Sequence, residues 1–493
     1  MPPRGKAEGN MPPMEKSPES LIERLNADNV RWIDLQFVDL TGLLQHVTIP
    51  AHSLETRHFT EGIPKLDGSS IRGFTEIHES DMRLSPDVTT LRPLPWYDPP
   101  HKTYRLICNI WEGYRHERFS RDPRYAAERA VESAKEQGFD TSYWGPELEF
   151  FVFDRVQIDP SPLGASQPGQ GSGYHIQSAE APWTRGEFNL LPFALKGGYY
   201  SAPPRDALAD LRNEICRVLE DYFEVSVEAH HHEVATAGQC EINIRYSELL
   251  DMADQITTMK MAIKRTALLY NRVATFMPKP LYGDNGSGMH THQSLWKDGK
   301  NTFYDSNEPY AEVSQTCRYY IGGLMEHSQA LTAITNPTTN SYRRLVPGYE
   351  APVFIAWARG NRSANCRVPV YEKTVEKAKR VEFRTPDPSC NIYLALAAMQ
   401  AAGLDGIKRK LDPGNPVDED IYRLTVKQRR DLGIRELPGS LKASLDYLES
   451  DHDFLGRIFP KDLLEHYVDL KRKEALEVTL RPTPLEFSMY LDV

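Results

Sequence analysis

Trp144-Gly-Pro-Glu-Leu-Glu-Phe-Phe-Val-Phe153 has the chemistry of a β-strand. Its period of two puts Glu147 and Glu149 on one face and Leu148, Phe150 and Val152 on the other. Read the same way, Arg380-Val-Glu-Phe-Arg-Thr385 sets Arg380, Glu382 and Arg384 against Val381 and Phe383. A sheet whose polar face collects glutamates from several strands needs compensating cations, because like charges are costly when partly buried. Metal ions would supply them.

Between His230 and Glu241 the chain reads His-His-His-Glu-Val-Ala-Thr-Ala-Gly-Gln-Cys-Glu. Glu233 and Glu241 bracket a tight turn in which Gly238 can take positive φ and fold the acidic ends together. Alone, this segment fits a divalent-cation site and an acidic surface loop equally well. A sixth candidate ligand lies in Asn285-Gly-Ser-Gly-Met-His-Thr-His292, where small residues let the backbone approach a ligand just before His290 and His292. That stretch fits neither the Walker A pattern nor the dinucleotide fingerprint. Five glutamates and His290 divide into two three-ligand sites rich in oxygen, the chemistry of Mg²⁺ or Mn²⁺ rather than zinc. Two such metals beside several arginines describe a phosphoryl-transfer site.

The 493-residue chain carries a net charge of −11, which excludes a nucleic-acid binder relying on a broad basic surface. Its six cysteines show no Cys-x-x-Cys spacing, so free thiols in a cytoplasmic protein are expected. The longest apolar run, Ile392 to Leu404, is interrupted by Gln400 and ends at Asp405, so no membrane partner is expected. Residues 1–18 read as a disordered tail. Residues 19–119 form a small domain of strand-like pieces such as Val30 to Val38, and a larger domain spans 121–493. Helices are expected from Arg124 to Gly138 and from Arg205 to Tyr222. Between Asp159 and Leu195 lies a loop rich in Pro, Gly, Ser and Gln, too long for a simple connection.

Asp67-Gly-Ser-Ser-Ile71, Gly145-Pro-Glu-Leu-Glu-Phe150, His231-His-Glu-Val-Ala235, Gly286-Ser-Gly-Met-His290, Asn336-Pro-Thr-Thr-Asn-Ser-Tyr342, Arg344-Leu-Val-Pro-Gly-Tyr-Glu-Ala-Pro352, Asn361-Arg-Ser363 and Phe383-Arg-Thr-Pro-Asp-Pro388 occur in the order found in type I glutamine synthetases, and from about Ser20 onward the chain resembles that family. The resemblance implies an α+β fold: a small N-terminal β-grasp domain, then a large catalytic domain with a curved antiparallel sheet flanked by helices. It implies that Glu149, Glu233 and Glu241 hold one metal while Glu147, His290 and Glu382 hold the other. Arg344 and Arg384 resemble the binders of substrate glutamate, with Asn285 and Gly286 beside them. Arg362, Arg367 and Arg380 resemble the cations around the phosphates, and Glu228, His292, Ser294 and Lys377 resemble nucleotide contacts.

The implied reaction joins glutamate to ammonia at the expense of ATP through an acyl phosphate. Asp67, with Ser70, Tyr199 and Glu233, resembles the ammonium site, and Glu350 the flap residue that excludes water. The resemblance also implies a dodecamer of two hexameric rings, with Asp67 and Ser70 acting on a neighbour's site and Glu486 to Val493 strapping the rings. Tyr422 stands near a tyrosine adenylylated in one branch, but its flanks favour no modification; Glu76 replaces an arginine of the feedback-inhibited branch. A γ-glutamyl-polyamine ligase, a non-catalytic relative and a two-metal phosphohydrolase are the alternatives. All six metal ligands, Asp67, Ser70, Tyr199 and the paired arginines speak against them.

Overall fold

The computed structural model describes residues 17–75, 79–97, 99–113, 117–159, 173–184, 191–370 and 375–493. Residues 1–16 of the expected tail, Glu76 and two parts of the expected long loop, 160–172 and 185–190, lie outside the described residues. Ser17 and Pro18, read as part of that tail, instead begin a helix: Ser17 accepts the Ser20 amide as a capping box and Pro18 opens the helix Pro18–Ala27.

The N-terminal domain is a β-grasp sheet. Its strands are β1 Trp32–Val38, β2 Leu44–Pro50, β3 Ile63–Asp67, β4 Asp81–Pro86, β5 Arg92–Pro93 and β6 Thr103–Glu112. The order is β2-β1-β6-β4-β3, with β5 beside β6 and β1 parallel to β6. Along β1 the polar alternates are not solvated: Asp34 and Gln36 are buried. Gln36 donates to Asp34 at 2.9 Å and Thr48 donates to Asp34 at 2.8 Å, while Met261 of the larger domain covers the Gln36 amide at 3.3 Å.

The second sheet is built from β7 Thr141–Phe153, β10 Val227–His232, β11 Gln239–Ile244, β14 Met289–Lys297, β16 Phe354–Arg359, β17 Ala364–Val368, β18 Val381–Phe383 and β19 Arg435–Glu436, ordered β10-β11-β7-β14-β18-β17-β16-β19. Short strands β12 Ser247–Glu248 and β13 Val273–Thr275 flank β7, and β15 Lys300–Asn301 flanks β14. All pairs are antiparallel except β16 with β17. The expected alternation holds on β7. Leu148, Phe150 and Val152 enter the main core, whereas Phe151 and Phe153, on the glutamate face, form a separate cluster with Ala235, Ala237 and Leu281.

Helices cover the apolar face. Pro123–Glu136 starts on an Asp122 cap with Pro123 in its first turn, and the buried Ile392–Arg409 starts on an Asn391 cap. The helix expected from Arg205 begins later, as Ala209–Phe223, because Arg205 and Asp206 are engaged elsewhere. Arg205 lies 5.0 Å over the Phe193 ring, and Asp206 holds the buried guanidinium of Arg212. The expected long loop contains a strand: β9 Gly173–Gln177 pairs with β8 Arg155–Asp159. The apolar run at Ile392 is a core helix, and among the described residues no helix is long and apolar enough to cross a membrane. All six cysteines are buried and free.

Buried polar groups join the two domains. Arg124 donates to Asp254 at 2.9 Å and to Asp87 at 2.7 Å, and the Asn391 amide donates to the Asp39 carbonyl at 3.1 Å. Gly42 has φ of 94°, and a Cβ there would meet Asn391 Cα at 2.9 Å, so only glycine allows this approach.

Candidate active site

Strands β10, β11, β7, β14, β18 and β17 lay their polar side chains in cross-strand rows, where register partners sit within reach of one another. His231, Glu241 and Glu149 are partners across β10, β11 and β7. Glu147 opposes His290, while His292, Glu382 and Arg367 run across β14, β18 and β17. The turn between β10 and β11 needs Gly238, with φ of 73° and a Cβ position 2.1 Å from the Val152 carbonyl.

These rows form two groups that could hold metals. Glu147, His290 and Glu382 offer ligand atoms all within 4.8 Å of one another, as do His231, Glu233 and Glu241. The first group has the membership the sequence suggested. In the second, His231 joins Glu233 and Glu241, while Glu149 turns one oxygen to the Gly288 amide at 2.9 Å and the Gln239 amide at 3.0 Å. Sequence reading missed His231 and Gln239; the signal was present in the histidine run, but only the strand register places His231 opposite Glu241.

The chemistry of these donors fits hard divalent cations. Burial, then the charge of Glu241, pushes Glu149 up to about 8. Burial, with Glu149 and Glu241, takes Glu233 to about 10, and burial beside Glu147 takes Glu241 to about 7. Three carboxyls crowded this way need added positive charge to ionise together. Glu147 behaves differently: burial raises it, but hydrogen bonds to His290 and His292 hold it well below the usual carboxylate range. Glu382 is likewise buried, yet Arg384, with other cations, holds it at about 2. Burial and Arg384 push His290 down to about 4, leaving a neutral imidazole free to ligate.

A cavity of about 1020 Å³ opens over both groups, and every residue expected to bind metal, nucleotide or substrate or to act in catalysis lines it except Asp67 and Ser70. Arg384 and Arg367 both donate to Glu382, and buried Arg344 donates to the Thr385 carbonyl at 2.8 Å. Gly288 makes room for this: a Cβ there would lie 2.6 Å from Arg344 Nη2 and 3.1 Å from His290 Nε2. Arg380 donates to His292 at 3.1 Å, and His292 reaches Glu147 at 2.9 Å. Asn285 Oδ1, in the cavity wall, is buried without a hydrogen-bond partner. Glu228, Lys377 and Arg362 are exposed at the cavity, Ser294 accepts from Trp296 at 3.0 Å, and the Tyr199 ring stacks on Tyr200 at 4.2 Å. Glu350 is exposed with φ of 59°. Asp67 and Ser70 lie apart in the small domain, where Ser70 donates to Asp67 at 3.0 Å.

Comparison with known proteins gives a consistent result. The family model described as "Glutamine synthetase, beta-Grasp domain" matches residues 29–113, and "Glutamine synthetase, catalytic domain" matches residues 120–490. A glutamine synthetase of Sulfolobus acidocaldarius is 53% identical over 98% of this chain and 100% of its own. One from Frankia alni is 47% identical over 96% of this chain and 99% of its own. A cryo-EM structure of Plasmodium falciparum glutamine synthetase superposes with a TM-score of 0.86 at 28% identity, covering 97% of this chain and 100% of the other.

Proposed function

The chain belongs to the glutamine synthetase family, and from that premise we propose how its side chains divide the work of ligating ammonia to glutamate. The enzyme is a ligase of glutamine biosynthesis. Support for the division comes from one observation: two groups of carboxylates and imidazoles share a cavity with Arg344, Arg362, Arg367, Arg380 and Arg384.

Glu147, His290 and Glu382 would hold one Mg²⁺ or Mn²⁺, and Glu149, Glu233 and Glu241 would hold the other, with His231 at its edge. When bound, the metals supply positive charge against the nucleotide phosphates and the substrate carboxylate. Glu228, His292, Ser294, Arg367, Lys377 and Arg380 orient ATP. Arg344 and Arg384 fork the glutamate carboxylate, and Asn285 and Gly286 fix its amino-acid end. A γ-carboxylate oxygen then attacks the γ-phosphorus and ADP departs, while Arg362 meets the charge of the transferring phosphoryl group.

Ammonium binds near Tyr199 and Glu233 and loses its proton to Asp67, positioned by Ser70. Asp67 and Ser70 lie outside the cavity of their own chain, which supports their supply by a neighbouring subunit in an assembly of two stacked hexameric rings. Ammonia attacks the acyl carbon and phosphate leaves. Glu350 covers the intermediate and excludes water. The enzyme works in the cytoplasm, where glutamate, ammonium and ATP are present together.

The test is phosphate release from ATP with Mg²⁺ and glutamate, with no amine, with ammonium or with putrescine, and the amide identified by mass. Ammonium-dependent release with glutamine formed supports the reading. Release only with putrescine would move the chain to the polyamine ligases.

A further inference from the structure

The segment that carries Glu350 is held at three points. Lys196 Nζ donates to the Gly348 carbonyl at 2.9 Å. The Tyr349 ring carries two ammonium groups, Lys196 Nζ at 4.4 Å and Lys279 Nζ at 3.7 Å from its centroid. On the other side of Glu350, the Tyr422 hydroxyl donates to the Ala351 carbonyl at 2.6 Å. Glu350 itself has φ of 59°, a left-handed conformation that a non-glycine residue keeps only when its surroundings impose it.

The cations of this clamp are themselves fixed. Lys279 is buried, its ammonium donates to the Asp284 carbonyl, and its main chain exchanges hydrogen bonds with the Asn340 side chain at 2.8 and 2.9 Å. Lys196 lies two residues before the Gly198 amide, which donates to the Val234 carbonyl next to Glu233 at 3.2 Å. One end of the clamp is therefore tied to the strand β10–β11 turn, and the other to the loop before Asn285. An aromatic face within about 6 Å of an ammonium is attractive without a fixed donor angle, so the ring can settle between two anchors and carry the backbone with it.

We propose that Lys196, Lys279 and Tyr349 are positioning residues of the reaction: their cation–π clamp holds the backbone of Glu350 so that its carboxylate closes over the acyl phosphate. The inference rests on the reading of Glu350 as the closing residue. Loss of the clamp leaves phosphoryl transfer intact but admits water. Water then attacks the acyl carbon, phosphate leaves, and glutamate is regenerated, so ATP is hydrolysed without an amide forming.

Two readouts on the full protein test this. The first is phosphate released per glutamine formed at saturating ammonium. Tyr349→Leu and Lys196→Met raise the ratio about fivefold or more, while Tyr349→Phe and Lys196→Arg, which keep the ring and the cation, restore it. The second is the rate at which a broad-specificity protease cuts within residues 346–352 with no substrate present, which follows how often the segment leaves its anchors. Cleavage accelerates in Tyr349→Leu and Lys196→Met and not in the two conservative variants. Unchanged cleavage in Tyr349→Leu would overturn the clamp. Faster cleavage with an unchanged ratio would overturn its role in sealing the intermediate. If the wild-type protein forms no glutamine, the assigned reaction fails, and the cleavage comparison still decides the clamp.

Discussion

Glu149 and Glu241 face each other as register partners on β7 and β11, two buried carboxyls in one wall of the cavity. Directly opposed like charges weaken a strand pair, and a divalent cation between them reverses the sign of their effect. Glu241→Gln is expected to raise the thermal midpoint of the metal-free protein slightly, by the equivalent of about 1 kcal/mol or less. The same variant should lose most of the further rise that Mg²⁺ or Mn²⁺ gives the wild type. Thermal scans with and without each cation check both halves; a variant still stabilised like the wild type would remove Glu241 from the metal site.

Glu382 accepts from both Arg367 and Arg384. Removing it leaves two guanidiniums without their carboxylate and one candidate metal group without one of its three donors. Glu382→Ala should lower kcat by about a thousandfold or more while the mass in solution, followed by light scattering, stays that of the wild type. Retained turnover would refute its role.

Asp67 and Ser70 lie outside the cavity that the rest of the site lines. Asp67→Ala and Glu382→Ala proteins should each be inactive alone. Co-expressed and co-purified, they should recover about a quarter of wild-type turnover if, as proposed, each site is shared between neighbours in a ring, since random assembly then pairs an intact Asp67 with an intact Glu382 at that frequency. No recovery in mixed assemblies would place Asp67 in its own chain's site.

Far from the cavity, His327 sits buried between Asp405 and Asp451, at 3.0 and 2.9 Å, and stacks on Phe454 at 4.0 Å. Burial lowers its pKa, but the hydrogen bonds and charges of the two aspartates outweigh it, and the net shift is upward. A raised folded-state pKa contributes stability that is fully present below the unfolded value, near 6.5, and is lost as pH rises through the folded value. His327→Gln should therefore lower the thermal midpoint more at pH 5.5 than at pH 9, the gap between the two differing by about 2 °C or more. A gap independent of pH would mean that the ring acts by packing alone.

Strand β7 was legible because its side-chain period is two and its two faces differ so sharply: Leu148, Phe150 and Val152 against Glu147 and Glu149. The domain order and the paired glutamates followed from the same local pattern and from the ordered motifs. What escaped was set by partners distant in the chain. His231 becomes part of a metal group only through its register with Glu241, and the start of the Ala209–Phe223 helix is fixed by what Arg205 and Asp206 touch. Strand β9 escaped because its pairing with β8 outweighs a turn-rich composition. Tyr349 gave no local signal, since its two lysines lie in separate segments.

The two metal groups differ in how much of the chain must be in place before they exist. His231, Glu233 and Glu241 belong to one hairpin, whose ends a short loop closes, whereas Glu147, His290 and Glu382 come from three strands far apart in sequence. Because Glu149 of β7 completes the first site, a cation there would report the hairpin docked on β7, while a cation at the second group would report β7, β14 and β18 brought together. During refolding, binding at the docked hairpin should precede binding at the three-strand group, so one protein carries both an early and a late marker of its own construction.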